Sequence, residues 1–478
     1  MIDAKNLKNY IAGEFRDAEE HLDVLNPATD EVIASVPRAT EHDADDAMQA
    51  AWDARKSWAA TPAVERAGYV HKLAAGVREN RQLFIDTLVQ EQSKTQELAA
   101  VEVDFVADYF DYVAEWGRRI EGEVLESDNP KERIMLLRKP YGVAVGVLPW
   151  NFPFFLIARK LAPAMVTGNT SVIKPSSDTP INALLFAQVA HEVGIPKGVF
   201  NLISAPGAIG SYLASSSLAG IVSFTGSVPV GSKIMEAASK NTTKVNLELG
   251  GKAPAIVLND ATIDLAVDAI WNSRVINSGQ VCNNAERVYV ESGVADEFIE
   301  KMAAKMAATK VGDPWKDAHL DMGAEINTAA VERLSGIMDR AKASGATVLT
   351  GGEAFKVDGH GSFFQPTVVT DIAQDSELVQ KETFGPILPI VVVKDFDQAI
   401  DYANDSEYGL TSSLYTNDLN NAMRGLREID FGETYINRHN FEAMQGFHAG
   451  TRHSGIGGAD GKHGLYEYTR TQVAYIEG

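Results

Sequence analysis

From Tyr141 onward the chain alternates between short apolar runs rich in β-branched residues and longer helical stretches, and this alternation constrains its fold most. "GVAVGVL" (142–148) reads as a buried strand, "FFLIARKLAPAMVTG" as a helix ending at Gly168, "TSVIKP" as a strand and "INALLFAQVAHEVG" as a helix. The pattern continues through strand "GVFNLI", helix "AIGSYLASS", strand "GIVSFTG", helix "VGSKIMEAASK" and strand "KVNLEL". Continuous apolar strands separated by helices predict βαβ units and a parallel sheet buried on both faces. Such a sheet is the natural frame for a nucleotide cofactor. A second alternation starts near Ala253 with "PAIVL", helix "TIDLAVDAIWNSRVI", strand "RVYV" and helix "VADEFIEKMAAKMAAT", and runs on through "TVLTGG", "LPIVVV" and a helix over 397–404. The chain thus predicts an α/β fold with two α/β domains, preceded by amphipathic helices between about Glu41 and Arg119. "SDNPKERIMLLRKPYG" and the C-terminal "TRTQVAYIEG" read as isolated strands, of the kind that adds to another subunit's sheet.

A length of 478 residues fits two or three domains. The formal charge, 43 − 65 = −22, repels nucleic-acid phosphates, and no Lys/Arg-rich run offsets it. The start, "MIDAKNLKNYIAGEF", lacks a basic segment followed by an apolar one, so no signal peptide is expected. The most apolar run, "YGVAVGVLPW", is too short to span a bilayer. A single cysteine excludes an intramolecular disulfide and points to a reducing, cytoplasmic setting. No metal site is expected, because the ten histidines are scattered, HExxH is absent and one cysteine is too few for a structural zinc site.

That one cysteine, Cys282, sits in "INSGQVCNNAERVYV". It reads either as a small inert buried residue or as a nucleophile needing a base and an oxyanion-stabilising group elsewhere. "VNLELGGKAPAIV" holds Glu248 among Val and Leu, where desolvation raises a carboxyl pKa and suits it to proton abstraction. A solvent-facing strand end is the alternative. "LPWNFPFF" places Asn151 just past a strand, where its amide could hold an oxyanion or simply make a turn. No GxGxxG follows a strand, and "GSVPVGSK" misses a P-loop because Ser232 stands where the lysine belongs. A strand, a Gly226-Ser227 turn and a helix N-terminus still make an anion site, unless Gly226 only permits a tight turn.

Together "PWNFP", "VIKPS", "SFTGS", "LELGGKAP", "SGQVC" and "KETFGP", in that order over essentially the whole chain, resemble the NAD(P)-dependent aldehyde dehydrogenase superfamily. The resemblance implies a cofactor-binding domain over 1–122 and 141–248, a catalytic domain over 249–450, and a small β oligomerisation arm over 123–140 and 463–478. It implies a homodimer or homotetramer, and a cofactor sheet that dispenses with GxGxxG. By motif, Cys282 becomes the nucleophile, Glu248 the general base, and Asn151 with the Cys282 N–H the oxyanion hole. Lys174 would reach the adenosine ribose, Gly226 and Ser227 the pyrophosphate, and Glu382 and Phe384 the nicotinamide ribose and ring. Val147, Pro149, Trp150, Ser176, Ser177, Gly210 and Leu249 complete the implied cofactor site. Relatives that prefer NAD carry Glu after "VIKPS"; the neutral Ser177 here implies use of NADP, or a plain hydrogen bond to the ribose of NAD.

"PWNFPFFLIARK" and "GETYINRHNFEAMQGFHAG" resemble members acting on short 2-hydroxyaldehydes such as lactaldehyde and glycolaldehyde, with Phe152, Arg159, Glu442 and His448 at the substrate. The alternative is that Arg159 and Glu442 form a structural ion pair and His448 only packs, which leaves other small polar aldehydes such as succinic semialdehyde open. A coenzyme A-acylating relative is disfavoured by Glu248, and a non-catalytic one by the intact Asn151, Glu248 and Cys282.

Overall fold

The computed structural model describes residues 2–478; Met1, the first residue of the stretch read above as lacking a signal peptide, lies outside them. The five strands predicted from the first alternation form one parallel sheet. Its order is Phe200–Leu202, Thr170–Lys174, Val143–Val147, Ile221–Thr225, Lys244–Glu248. Chain order therefore reverses at Val143–Val147, and the crevice beyond the carboxyl ends of this strand and of Ile221–Thr225 is where such sheets bind ligands. Two pieces invisible to the periodicity extend the sheet: Asn9–Ile11 pairs antiparallel with Phe200–Leu202, and Gly455–Ile456 pairs antiparallel with Lys244–Glu248.

The strand Val143–Val147 is followed by helix Phe155–Thr167, every residue of which is buried. The helix stops at Gly168, whose φ of 95° is left-handed and easily adopted only without a Cβ. Arg159 and Lys160, on this helix, are thus charges carried into the interior by an apolar element.

The second alternation forms a seven-stranded sheet in the order Thr347–Thr350, Thr367–Thr370, Ile387–Val393, Ala285–Glu291, Ala253–Val257, Thr411–Tyr415, Glu433–Ile436. Every pairing is parallel except that of Thr347–Thr350. The helices read between Glu41 and Arg119 are Glu41–Ala60, Ala63–Glu79, Arg81–Gln92 and Gln96–Ala114. Thr40 starts the first with a reciprocal cap: its hydroxyl accepts from the Asp43 N–H, and the Asp43 carboxylate accepts from the Thr40 N–H.

One reading is corrected here. The two strands taken as isolated pair with each other over their full length, Glu132–Pro140 against Thr469–Glu477, and Glu123–Glu126 adds on the far side. Partners more than 300 residues apart in sequence leave no local sign of one another. The resulting three-stranded sheet still exposes Val124 (68%) and Tyr475 (67%). Among the described residues no helix is long and apolar enough to cross a membrane.

Candidate active site

A cleft of about 390 Å³ opens between the two parallel sheets. It is lined by Pro149, Trp150, Asn151, Phe152 and Arg159 after the first cofactor strand, by Gly226, Ser227 and Leu249, and by Cys282, Glu382, Phe384 and Glu442. Val147, Lys174, Ser176, Ser177 and Gly210 sit away from it, toward the outer part of the cofactor sheet; Glu248 and His448 lie behind its wall.

The Cys282 loop is held in an unusual backbone path. Asn277, Ser278 and Gly279 are consecutive left-handed residues, with φ of 51°, 58° and 75°. Such a run is costly for side-chain-bearing residues and persists only where the surroundings enforce it. They do: Arg274 donates to the carbonyls of Gly279 (2.8 Å), Ala285 (3.1 Å) and Gly385. A Cβ at Gly279 would sit 2.5 Å from the Gly385 backbone, so only glycine fits there. Arg274 also pairs with buried Glu286 at 3.0 Å. Glu286 accepts from Lys252 (2.7 Å) and from the N–H groups of Thr383 (2.8 Å) and Phe384 (3.0 Å). One buried carboxylate thereby ties the cysteine loop to the "KETFGP" loop. Although burial raises carboxyl pKa values, Lys252 and Arg274 hold Glu286 at about 2. Burial pushes Lys252 down to about 8, because the lysine has one carboxylate where Glu286 has two cations and two amides.

Asn151 is buttressed from behind. Its backbone carbonyl accepts from Lys94 (2.9 Å) and Asn277 (3.0 Å), and its side-chain amide donates to the Gln280 carbonyl (3.0 Å). Lys94 is paired with Glu102, whose other oxygen accepts from the N–H groups of Phe154 and Phe155, both at 3.0 Å. The amide therefore faces the cleft from a fixed position beside the cysteine loop.

Glu248 departs from expectation. It is buried as the apolar strand predicted, but its pKa is lowered rather than raised. Burial opposes ionisation, and the charges of Lys160 (3.3 Å), Arg159 (3.8 Å) and His448 outweigh it. The cations come from helix Phe155–Thr167 and the 437–450 loop, which the apolar neighbours along the strand do not reveal. The carboxylate faces Lys160 and not the cleft. Neither Glu248 Oε1 nor Lys160 Nζ makes a well-directed hydrogen bond.

Arg159 is bonded to Asp460 (3.1 Å through Nε) and to Glu442 (2.9 Å). The Arg159–Glu442 ion pair weighed from the sequence is thus present, with Asp460 as a second carboxylate that sequence reasoning missed. Burial is offset by Arg159 and His448, so Glu442 is held below the usual carboxylate range. Its other oxygen accepts from Asn283. Lys94, Glu102, Lys160, Asn283 and Glu433 also went unsingled, since each acts through partners distant in sequence.

The cofactor side offers fitting chemistry. Gly226 begins a turn into helix Val228–Ser239, whose unpaired N–H groups favour an anion. The Lys174 ammonium is nearly buried, donates only to the Pro175 carbonyl (3.0 Å), and is pushed by burial to about 8. Glu382 accepts from the Gly251 N–H at 2.8 Å, and burial followed by the Glu286 charge raises it to about 7. Such a carboxyl suits the hydroxyls of a ribose. The Trp150 and Phe384 rings meet edge to face at 5.5 Å across this end of the cleft. Among the described residues no His/Cys/Asp/Glu cluster could hold a metal ion.

Residues 15–474 match the model of the aldehyde dehydrogenase family, and the chain belongs to that family. It is an NAD(P)-dependent aldehyde dehydrogenase, which oxidises an aldehyde to the acid. It is 53% identical to a lactaldehyde dehydrogenase of Escherichia coli (strain K12) over 98% of both chains. A crystal structure of the E. coli lactaldehyde dehydrogenase superposes with a TM-score of 0.97, covering 98% of this chain and 99% of that one. The structure of a 3,6-anhydro-L-galactose dehydrogenase in complex with NAP, 40% identical, superposes at 0.96 over 98% and 99%. A succinate-semialdehyde dehydrogenase [NADP(+)] of E. coli is 36% identical over 98% of this chain and 97% of its own length.

Proposed function

We propose that this dehydrogenase oxidises a short 2-hydroxyaldehyde, of the lactaldehyde or glycolaldehyde type, to its carboxylate. Cys282 adds to the aldehyde carbon, and the alkoxide is held by the Asn151 amide and the Cys282 N–H. The nicotinamide, when bound, accepts hydride from that carbon and leaves a thioester on Cys282. Glu248, released from Lys160 and turned toward the cleft, takes a proton from the water that hydrolyses the thioester, and Cys282 leaves as the thiolate. Lys174, Ser176 and Ser177 serve the adenosine ribose, Ser227 and the helix after it the pyrophosphate, and Glu382 the nicotinamide ribose.

The observation that carries the substrate is the state of Arg159. Two carboxylates, Glu442 and Asp460, take up its charge, and Glu442 lines the cleft with Cys282. The pocket wall offers hydrogen bonding to a hydroxyl without a free cation for a substrate carboxylate. A polar site of this kind penalises an analogue that leaves it unpaired. Glycolaldehyde and lactaldehyde are expected to exceed propanal in kcat/KM by roughly tenfold or more, the worth of one hydrogen bond to a charged group. Succinic semialdehyde is expected to be poor. Equal values for hydroxylated and plain aldehydes, or unchanged selectivity in Glu442→Gln, refute the assignment.

NADP is the proposed cofactor where a choice exists, supported by neutral Ser177 in place of an acidic residue and by the Lys174 cation. Asp178, bonded by Ser176 at 3.2 Å, limits that attraction, so NAD use persists. Ser177→Glu is expected to move the kcat/KM ratio toward NAD; an unchanged ratio ends this reading. A homodimer or homotetramer is proposed from the exposed apolar residues of the three-stranded sheet, and a cytoplasmic setting from the single thiol.

A further inference from the structure

Behind Cys282 lies a histidine that the reaction as described leaves without a role. His448 is buried, 2% exposed, and lies within hydrogen-bonding reach of the Cys282 side chain. Its Nδ1 meets Glu433 Oε1 at 2.6 Å, which leaves the other ring nitrogen for the thiol. Glu433 is fixed in turn by the Tyr435 hydroxyl, which donates to its second oxygen. The imidazole cannot swing away easily, because the backbone on either side of it is clasped. The His448 N–H donates to the Ala459 carbonyl at 2.9 Å, and the Ala459 N–H donates back at 2.8 Å.

We infer that His448, oriented by Glu433, is the proton acceptor for Cys282, so that the free enzyme rests as a thiolate–imidazolium pair. The proton leaves Sγ and is held on the ring nitrogen facing it; no other bond is made or broken. Nucleophile, base and orienting carboxylate in series are the general arrangement for activating a weak nucleophile. The groups around the ring agree in sign. Glu433 faces it from strand Glu433–Ile436, with Glu442, Glu248 and Asp460 further off, against the single opposing charge of Arg159. Burial disfavours the imidazolium, and these carboxylates more than offset it, holding His448 well above its usual range. This division of labour leaves Glu248, tied to Lys160, free for hydrolysis alone.

The inference is independent of which aldehyde is oxidised, and its test uses neither aldehyde nor cofactor. With one cysteine in the chain, thiolate absorbance at about 240 nm and alkylation by iodoacetamide both report Cys282 alone. The wild-type protein is expected to titrate well below the ordinary thiol value of about 8.5. In His448→Gln the midpoint is expected to return toward that value, with alkylation at about pH 6.5 slowed more than tenfold. Glu433→Gln is expected to fall between the two. A wild-type midpoint near 8.5 overturns the proposal without any variant. So does a folded His448→Gln protein, judged by its melting curve and circular dichroism, that keeps the wild-type midpoint.

Discussion

Two groups of buried charge flank the cleft, and they are built on opposite plans. Lys252, Arg274 and Glu286 form a closed set in which every carboxylate oxygen and each cation is directed at a partner, backbone groups included. Arg159, Lys160, Glu248, Glu442 and Asp460 form an open one: Lys160 and Glu248 meet at 3.3 Å without a well-directed bond. A fully partnered network rigidifies, whereas under-bonded buried charges persist where another state needs them. The closed set shapes the two loops that carry Cys282 and Glu382; the open set holds a carboxylate in reserve.

The contrast can be sharpened by deleting the group both sets serve. Cys282→Ser is expected to lower turnover by several orders of magnitude while the melting temperature stays near that of the wild type. Wild-type-like turnover in a pure preparation would remove Cys282 from the chemistry. Breaking the closed set should show in stability: Lys252→Met leaves Glu286 short of one cation and is expected to cost about 3 kcal/mol in denaturant unfolding. If it costs nothing, the set is not structural.

Breaking the open set should show in the reaction instead. Glu248→Gln is expected to retain a rapid burst of NAD(P)H followed by turnover some hundredfold slower, with little change in stability. A burst slowed as much as turnover would mean that Glu248 acts before hydrolysis. The smallest effect is a pH dependence. Glu286, held at about 2 against an ordinary value of 4.5, stabilises the fold fully above the ordinary value. That contribution is lost as pH falls through the folded one. The destabilisation by Glu286→Gln is therefore expected to shrink as unfolding is measured at pH values descending from about 4.5 toward 2. A constant difference would count against it.

What the sequence disclosed follows from the range of each interaction. The parallel strands are continuous apolar runs, so both main sheets could be read from local pattern, and the resemblance supplied Asn151, Glu248 and Cys282. The short strands Asn9–Ile11 and Gly455–Ile456 are too brief to show a period. Glu248 was misjudged because its neighbours along the strand are apolar while Lys160 and Arg159 arrive from a different helix. Asp460 and Glu433 carry no motif; only the folded chain brings one to Arg159 and the other to His448.

The short stretch from His448 to Asp460 has a consequence for the order in which the molecule can be made. It covers the edge of strand Lys244–Glu248 through Gly455–Ile456, and Asn246 and Leu249 bond the carbonyls of Gly458 (2.7 Å) and Ser454 (2.8 Å). The same stretch delivers Asp460 to Arg159 and holds His448 beside Cys282. During synthesis, domains fold as units in the order they emerge from the ribosome. Here the cofactor sheet waits with a bare edge, and Arg159 with an unanswered charge, until nearly the last thirty residues have been added. A nascent chain released early thus carries the nucleophile and both flanking loops but no competent centre, so the reactive thiol is armed only in a completed molecule.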